Sequence, residues 1–196
     1  ETMNADILDM LTNDCNGDRY NVTTVIQKSG LGMSFGQARK DAITTGKTLA
    51  KAIDYIQAKT DPGDKTGYKI QQIAHDPGME FKGACQDEMA RRKIVRREGE
   101  VDRHADNALV ENRNQRLQNT ATAMAITAMG DNVAVYSEEA GCQAIRWANH
   151  CINHSSITKD QRASGKTAYQ EQYNCEDNID NAYGIKVHTW GELCYM

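Results

Sequence analysis

Two triplets in this chain, Gly46-Lys47-Thr48 and Gly165-Lys166-Thr167, end the way a phosphate-binding loop ends. The complete loop needs another glycine five positions before the first residue of each triplet, and Asp41 and Asp160 stand there instead. A carboxylate at that place repels phosphate, so both triplets are read as polar helix surface. His150 and His154 are spaced to share one face of a helix, with Cys151 between them. That spacing suits two metal-ligating imidazoles, but no third ligand is near in sequence and the glutamate of a metalloprotease motif is missing. They are read as polar residues near a helix end.

Arg91, Arg92, Lys93, Arg96 and Arg97 form a basic run that a phosphate backbone could meet. Asp87, Glu88, Glu98, Glu100 and Asp102 flank it and no aromatic interleaves it, which favours a solvated, salt-bridged face. Asp14, Asn16 and Asp18 have the alternation of a calcium loop, yet Val25 occupies the place of the closing glutamate. Asn21-Val22-Thr23 and Asn153-His154-Ser155 are glycosylation sequons. No local order of nucleophile, base and orienter is visible.

These groups must be positioned by a chain of 196 residues with 39% hydrophobic residues, two Phe, two Trp and two Pro. Such a composition favours helix over sheet and one modest core. The net charge of −4, with acids and bases interspersed, argues against a general attraction to nucleic acid or to anionic membranes. No apolar run has the length of a membrane span.

Helical spacing of Ile7, Leu8 and Leu11 predicts a short first helix over 5–11. Residues 20–26 read as extended or as the start of another helix. Ser34 with Gln37 has the pattern of a capping box, and apolar residues every three or four positions predict a helix over 35–56. A shorter helix over 66–75 is expected to end at Asp76-Pro77-Gly78. The stretch 79–129 lacks proline and carries a thin seam: Met89, Val101, Ala105, Ala108, Leu109, Leu117, Ala121, Met124 and Ala128. It reads as one or two long helices, with a break near Gly99. Helices over 137–153 and 158–173 follow, then an irregular segment anchored by Ile185, Val187 and Trp190.

Six cysteines are dispersed along the chain: Cys15, Cys85, Cys142, Cys151, Cys175 and Cys194. An even, dispersed set without a C-x-x-C pair predicts disulfide staples in an oxidising compartment. Cys142 and Cys151 would sit about 13 Å apart on one helix and cannot bond each other. Cys175 and Cys194 are the expected pair, closing a short loop. The chain opens at Glu1 rather than Met, which is read as removal of a leader.

The segment Asn107-Ala108-Leu109-Val110-Glu111-Asn112-Arg113-Asn114-Gln115-Arg116-Leu117-Gln118-Asn119-Thr120, leading into the alanine-rich 121–128, resembles the long polar helices of minor pilus components in bacterial conjugative type IV secretion systems. The resemblance covers about a quarter of the chain by composition. It implies an exported helical protein with a small appended domain and no catalytic role.

Together these readings predict an all-α or mainly α fold, with a helical bundle over 1–130 and a cysteine-rich segment over 131–196 forming one structural unit. The expected function is a non-enzymatic structural subunit of an extracellular, periplasmic or cell-surface assembly, with no cofactor. Its partners would be other copies or envelope proteins, with no nucleic acid and no membrane span, and the seam would be its interface. The alternatives are a monomeric secreted helical binding protein and a metal-dependent enzyme using His150 and His154.

Overall fold

The computed structural model of the chain describes residues 1–58, 69–99, 104–129, 133–155 and 165–173. Its centre is a five-stranded mixed sheet, so the expectation of an all-α bundle is overturned. The strands are β1 (Thr2–Asp9), β2 (Tyr20–Ile26), β3 (Gly32–Gln37), β4 (Gln72–His75) and β5 (Val95–Glu98), in spatial order β3-β2-β1-β4-β5. The first three form an antiparallel meander, and β4 and β5 join parallel to β1. Parallel neighbours need crossover connections, and helices supply them.

Helix α1 (Ala42–Ala58) carries the chain towards β4, and α2 (Ala84–Arg91) lies between β4 and β5. Asp41 starts α1: its carboxylate accepts hydrogen bonds from the Thr44 amide at 2.8 Å and the Thr44 hydroxyl at 3.0 Å. The helix therefore begins after the capping box read at Ser34, because Ser34 and Phe35 belong to β3. The described residues within 79–129 form a 3-10 turn, α2, β5 and then helix α3 (His104–Met129). Helix α4 (Val133–Ser155) matches the expectation for 137–153, and α5 (Ala168–Tyr173) closes the described chain.

The two faces of the sheet differ in chemistry. On one, Met3, Ala5 and Ile7 of β1 join Val22 and Ile26 of β2 and pack with Leu49, Ile53 and Ile56 of α1 and Phe81, Cys85 and Met89 beyond it. On the other, Asn4, Asp6 and Leu8 stand beside Asn21, Thr23 and Val25 in register, beneath α3 and α4. Both faces are covered, so β1 lacks the clean alternation of a half-solvated strand. That is why its Ile7 and Leu8 pass for one side of a helix. Leu11, the third residue of that spacing, is 77% exposed and has a φ of 68° in the turn after the strand.

The seam of α3 closes within the chain. Leu117 and Ala121 are buried against Ala144, Ile145, Ala148 and Ile152 of α4, with Leu8, Met10 and Met124 at the margin. Ala108 is half-buried and Leu109 is 38% exposed. Val101 and the side chain of Ala105 lie outside the described residues. The disulfide-stapled fold is also corrected. Cys85 and Cys142 are buried thiols, Cys151 is half-buried, Cys15 is exposed, and all four are free. Burial pushes the Cys85 thiol up to about 11 and the Cys142 thiol up to about 12. They behave as small core residues. Cys175 and Cys194 lie outside the described residues.

Candidate active site

Parallel pairing of β1 and β4 places Thr2 beside Gln72 and Ala5 beside His75. One residue further along both chains, Asp6 and Asp76 reach the same end of the sheet. Two acids brought together by backbone register, rather than by flexible side chains, are difficult to account for structurally. They repel, and that repulsion makes the folded state less stable.

Asp6 is half-buried and points to the α3 side. Its Oδ2 accepts a hydrogen bond from Asn114 Nδ2 at 2.7 Å, and its Oδ1 accepts one from the Ile7 amide at 2.8 Å. Burial pushes the Asp6 carboxyl above the usual carboxylate range; the charge of Asp76 adds to that, while the Ile7 amide, Asn114 and Lys40 oppose it. Asn114 is itself buried, and its Oδ1 has no hydrogen-bond partner.

Helix α3 supplies a third acid. Its buried stripe includes Asn107, Val110, Asn114 and Leu117. Asn107 borders a small crevice with Ala74 and His75 at the end of β4, and Asn114 reaches Asp6 on β1. Glu111 lies between those two contact points, one turn from each, and is exposed. Helical spacing therefore puts its carboxylate on the flank of α3 that passes the Asp6–Asp76 end of the sheet.

The backbone at Asp76 is held by its neighbour. His75 is buried, stacks on Phe81 with ring centroids 4.5 Å apart, and contacts the Asp76 carbonyl through Nδ1 at 2.6 Å. Its Nε2 receives a hydrogen bond from Arg96 Nε at 3.2 Å. Arginine can only donate, so Nε2 must accept and Nδ1 must carry the proton. Burial holds the His75 imidazolium pKa below its usual value, consistent with that neutral tautomer.

A hard divalent cation takes oxygen ligands and is commonly held by one or two carboxylates together with substrate phosphates and water. Asp6 and Asp76 fit that donor set, and the unpartnered Asn114 oxygen beside them is what a polar, hydrated centre leaves behind. Among the described residues, no three His, Cys, Asp or Glu side chains are gathered closely enough to hold a metal by themselves. Glu111 is exposed and stands apart from that pair.

The residues singled out by sequence go elsewhere. The rings of His150 and His154 lie 4.4 Å apart between Trp147 and Tyr169, as an aromatic stack rather than a pair of ligands. Arg91 pairs with Glu88 at 2.6 Å, Arg92 with Glu88 at 2.7 Å and Arg96 with Glu98 at 2.7 Å. The basic run is therefore largely tied down. Asp14 Oδ1 accepts the amides of Asn16 and Asp18 and shapes the β1–β2 turn. The sequon asparagines Asn21 and Asn153 are buried and hydrogen-bonded inside the fold.

Asp6, Asp76, Glu111 and Asn114 carry no local motif, which is why sequence reasoning missed them. One signal was present: the apolar run Ile73-Ala74 leading to His75-Asp76 and a Pro-Gly turn is the pattern of a buried strand ending on an acid.

A mixed sheet in this order, flanked by helices, is the fold of integrase catalytic core domains. The chain is similar to the catalytic core domain of HTLV-2 integrase, solved with magnesium in a trimeric form. The identity is 16%, the TM-score is 0.62, and the match covers 88% of this chain and 96% of that one. It is likewise similar to the BIV integrase catalytic core, at 14% identity and a TM-score of 0.58, covering 86% of this chain and 91% of that one. No family model and no curated protein matches the sequence. This likeness overturns the resemblance to pilus components. It also removes the support for a non-enzymatic filament subunit and for a chain without nucleic-acid partners, since the solved proteins sharing the fold are integrase catalytic cores.

Proposed function

We propose that this chain is the catalytic core of a metal-dependent enzyme that breaks or transfers phosphodiester bonds in nucleic acid. The observation that carries the reading is that Asp6 and Asp76 directly follow Ala5 and His75, the last paired residues of the parallel β1–β4 register, with Asn114 hydrogen-bonded to Asp6. Asp6 and Asp76 would hold magnesium, with Glu111 completing the set from α3. When bound, the ion neutralises charge on the reacting phosphate and activates the attacking oxygen. Asn114 fixes the rotamer of Asp6 by donating to Oδ2, and the Ile7 amide fixes the other oxygen. His75 and Arg96 hold the backbone from which Asp76 projects. Glu111, being exposed, can approach when substrate brings its phosphates.

The test is a strand-cleavage and strand-transfer assay on end-labelled duplex DNA with magnesium or manganese, run beside calorimetric titration of the metal alone. Activity that requires the metal and disappears in Asp6→Asn and Asp76→Asn, with unchanged circular dichroism, supports the reading. Metal binding and DNA processing that persist in both variants would overturn it.

A further inference from the structure

A cavity of about 450 Å³ opens over β3, two strands away from the acids, between α1, α4 and α5. Its volume lies within the range of small-ligand sites. Lys51 and Tyr55 enter from α1; Arg146, His150 and His154 enter from α4 at successive turns of one face; Tyr169 enters from α5. Among the described residues no carboxylate lines it. Arg146, which lines the cavity, stands 3.7 Å from the Asp18 carboxylate.

The floor is built and electropositive. Asn149 and Asn153 line the cavity, and the Oδ1 atom of each accepts from Arg113 Nη2 at 2.6 Å. Their Nδ2 groups donate to the Gly32 carbonyl at 2.8 and 2.7 Å. Both carboxamides are thereby fixed. Arg113 is 5% exposed and donates to the neutral amide oxygens of Asn149 and Asn153. A buried cation compensated only by dipoles leaves positive potential above it. Burial, with Arg116 adding to it, pushes the Arg113 guanidinium pKa down to about 9.

His150, His154 and Tyr169 of the lining belong to a row of rings that continues beyond the cavity to Trp147 and Tyr173. The rings of Trp147, His150, His154, Tyr169 and Tyr173 follow one another at centroid distances of 5.3, 4.4, 4.4 and 4.8 Å. Ring faces beside cations are the two elements with which proteins hold an unpaired nucleotide, through stacking and phosphate pairing.

We propose that this cavity binds a nucleotide, with its phosphate on Lys51 and Arg146 and its base against the rings of His150, Tyr55 and Tyr169. The source is a free nucleoside monophosphate or the unpaired end of a strand. This site is separate from the acids and stands whether or not the chain cuts DNA.

Trp147 stacks on His150 and supplies the reporter. The full chain is titrated with adenosine 5′-monophosphate, adenosine, inorganic phosphate and a 5′-phosphorylated single strand, following tryptophan emission, with Trp147→Phe identifying the signal. Expected is saturable binding of the monophosphate, at least about tenfold tighter than adenosine or phosphate alone and weakened about tenfold in Lys51→Glu. Competition by the single strand assigns the site to a strand end; competition by the free nucleotide alone assigns it to a small ligand. Either supports the proposal. No saturation by about 10 mM, equal affinity for phosphate alone, or unchanged binding in a folded Lys51→Glu would overturn it. An Asp6→Asn chain that loses DNA processing and still binds the monophosphate separates this site from the proposed active site.

Discussion

On the α1 side of the sheet, Met3, Ala5, Ile7, Val22 and Ile26 pack against Leu49, Ile53 and Ile56. On the α3 side, Asp6, Asn21, Thr23 and Ser34 lie beneath helices whose buried residues include Asn107, Arg113, Asn114, Asn149 and Asn153. Burying an aliphatic side chain stabilises by about 1.5–3 kcal/mol, whereas a buried hydrogen bond adds about 1 kcal/mol net. Stability therefore comes mainly from one face. The other gives up apolar contact to hold acids and amides in place, and the pattern to expect is that damage to the first lowers stability and damage to the second lowers function.

The largest effect should come from Asp6→Asn, an exchange of nearly equal volume. It removes one carboxylate of the acid pair, and DNA processing should fall by about a thousandfold or more with little change in melting temperature. Activity within tenfold of the unaltered chain would break the contrast between the faces. Next, Ile53→Ala opens a void in the α1 core and should lower stability by about 3 kcal/mol in urea titration, with activity per folded molecule retained. Loss of activity at full folding would place function on both faces.

Gly32→Ala tests the packing of the polar side. A methyl group there would lie 2.7 Å from Arg113 Nη2 and 2.7 Å from Asn149 Oδ1. The amide–guanidinium network must shift, lowering stability by about 1–3 kcal/mol; unchanged thermal unfolding would show that the network is slack. The smallest effect is expected on α2. Arg91 and Arg92 hold the Glu88 carboxyl down to about 2. A lowered folded-state pKa contributes stability that is present above the unfolded value and lost as pH falls through the folded one. The Glu88 side chain is 24% exposed and solvent screens the pair, so Glu88→Gln should cost under about 1 kcal/mol at pH 7, a cost that shrinks as pH falls through the carboxylate range and vanishes only below the folded value. A difference that stays constant with pH would assign the effect to packing.

How legible these faces were in the sequence follows from the same chemistry. Helix α4 could be read because Ala144, Ile145, Ala148 and Ile152 are apolar and spaced for one face. In α3, the buried Asn107, Arg113 and Asn114 are polar and interrupt the apolar stripe of Val110, Leu117 and Ala121, so only a thin seam shows in the sequence and the helix passes for one awaiting an outside partner. Strand β1 was hidden because both of its faces are covered. Strand β4, buried Ile73-Ala74-His75 after Gln72, is too short to outweigh the helical spacing of Ile70 and Ile73. The acid pair could not be read locally, since it exists only as a register between β1 and β4. The cysteines misled for a different reason: Cys85 and Cys142 serve as core residues, which an even count does not reveal.

The β1–β4 register also orders events during synthesis. Thr2 pairs with Gln72, so the chain must bring together residues some seventy positions apart before Asp6 meets Asp76. Closing a loop of that length is entropically slow, and the like charges oppose the final approach. The β1–β2–β3 meander, whose contacts are local, can form while β4 is still being made. A ribosome-bound chain halted before Asp76 would thus carry a folded meander and no paired acids, and the site would come into being only when β4 is zipped onto the finished edge of β1.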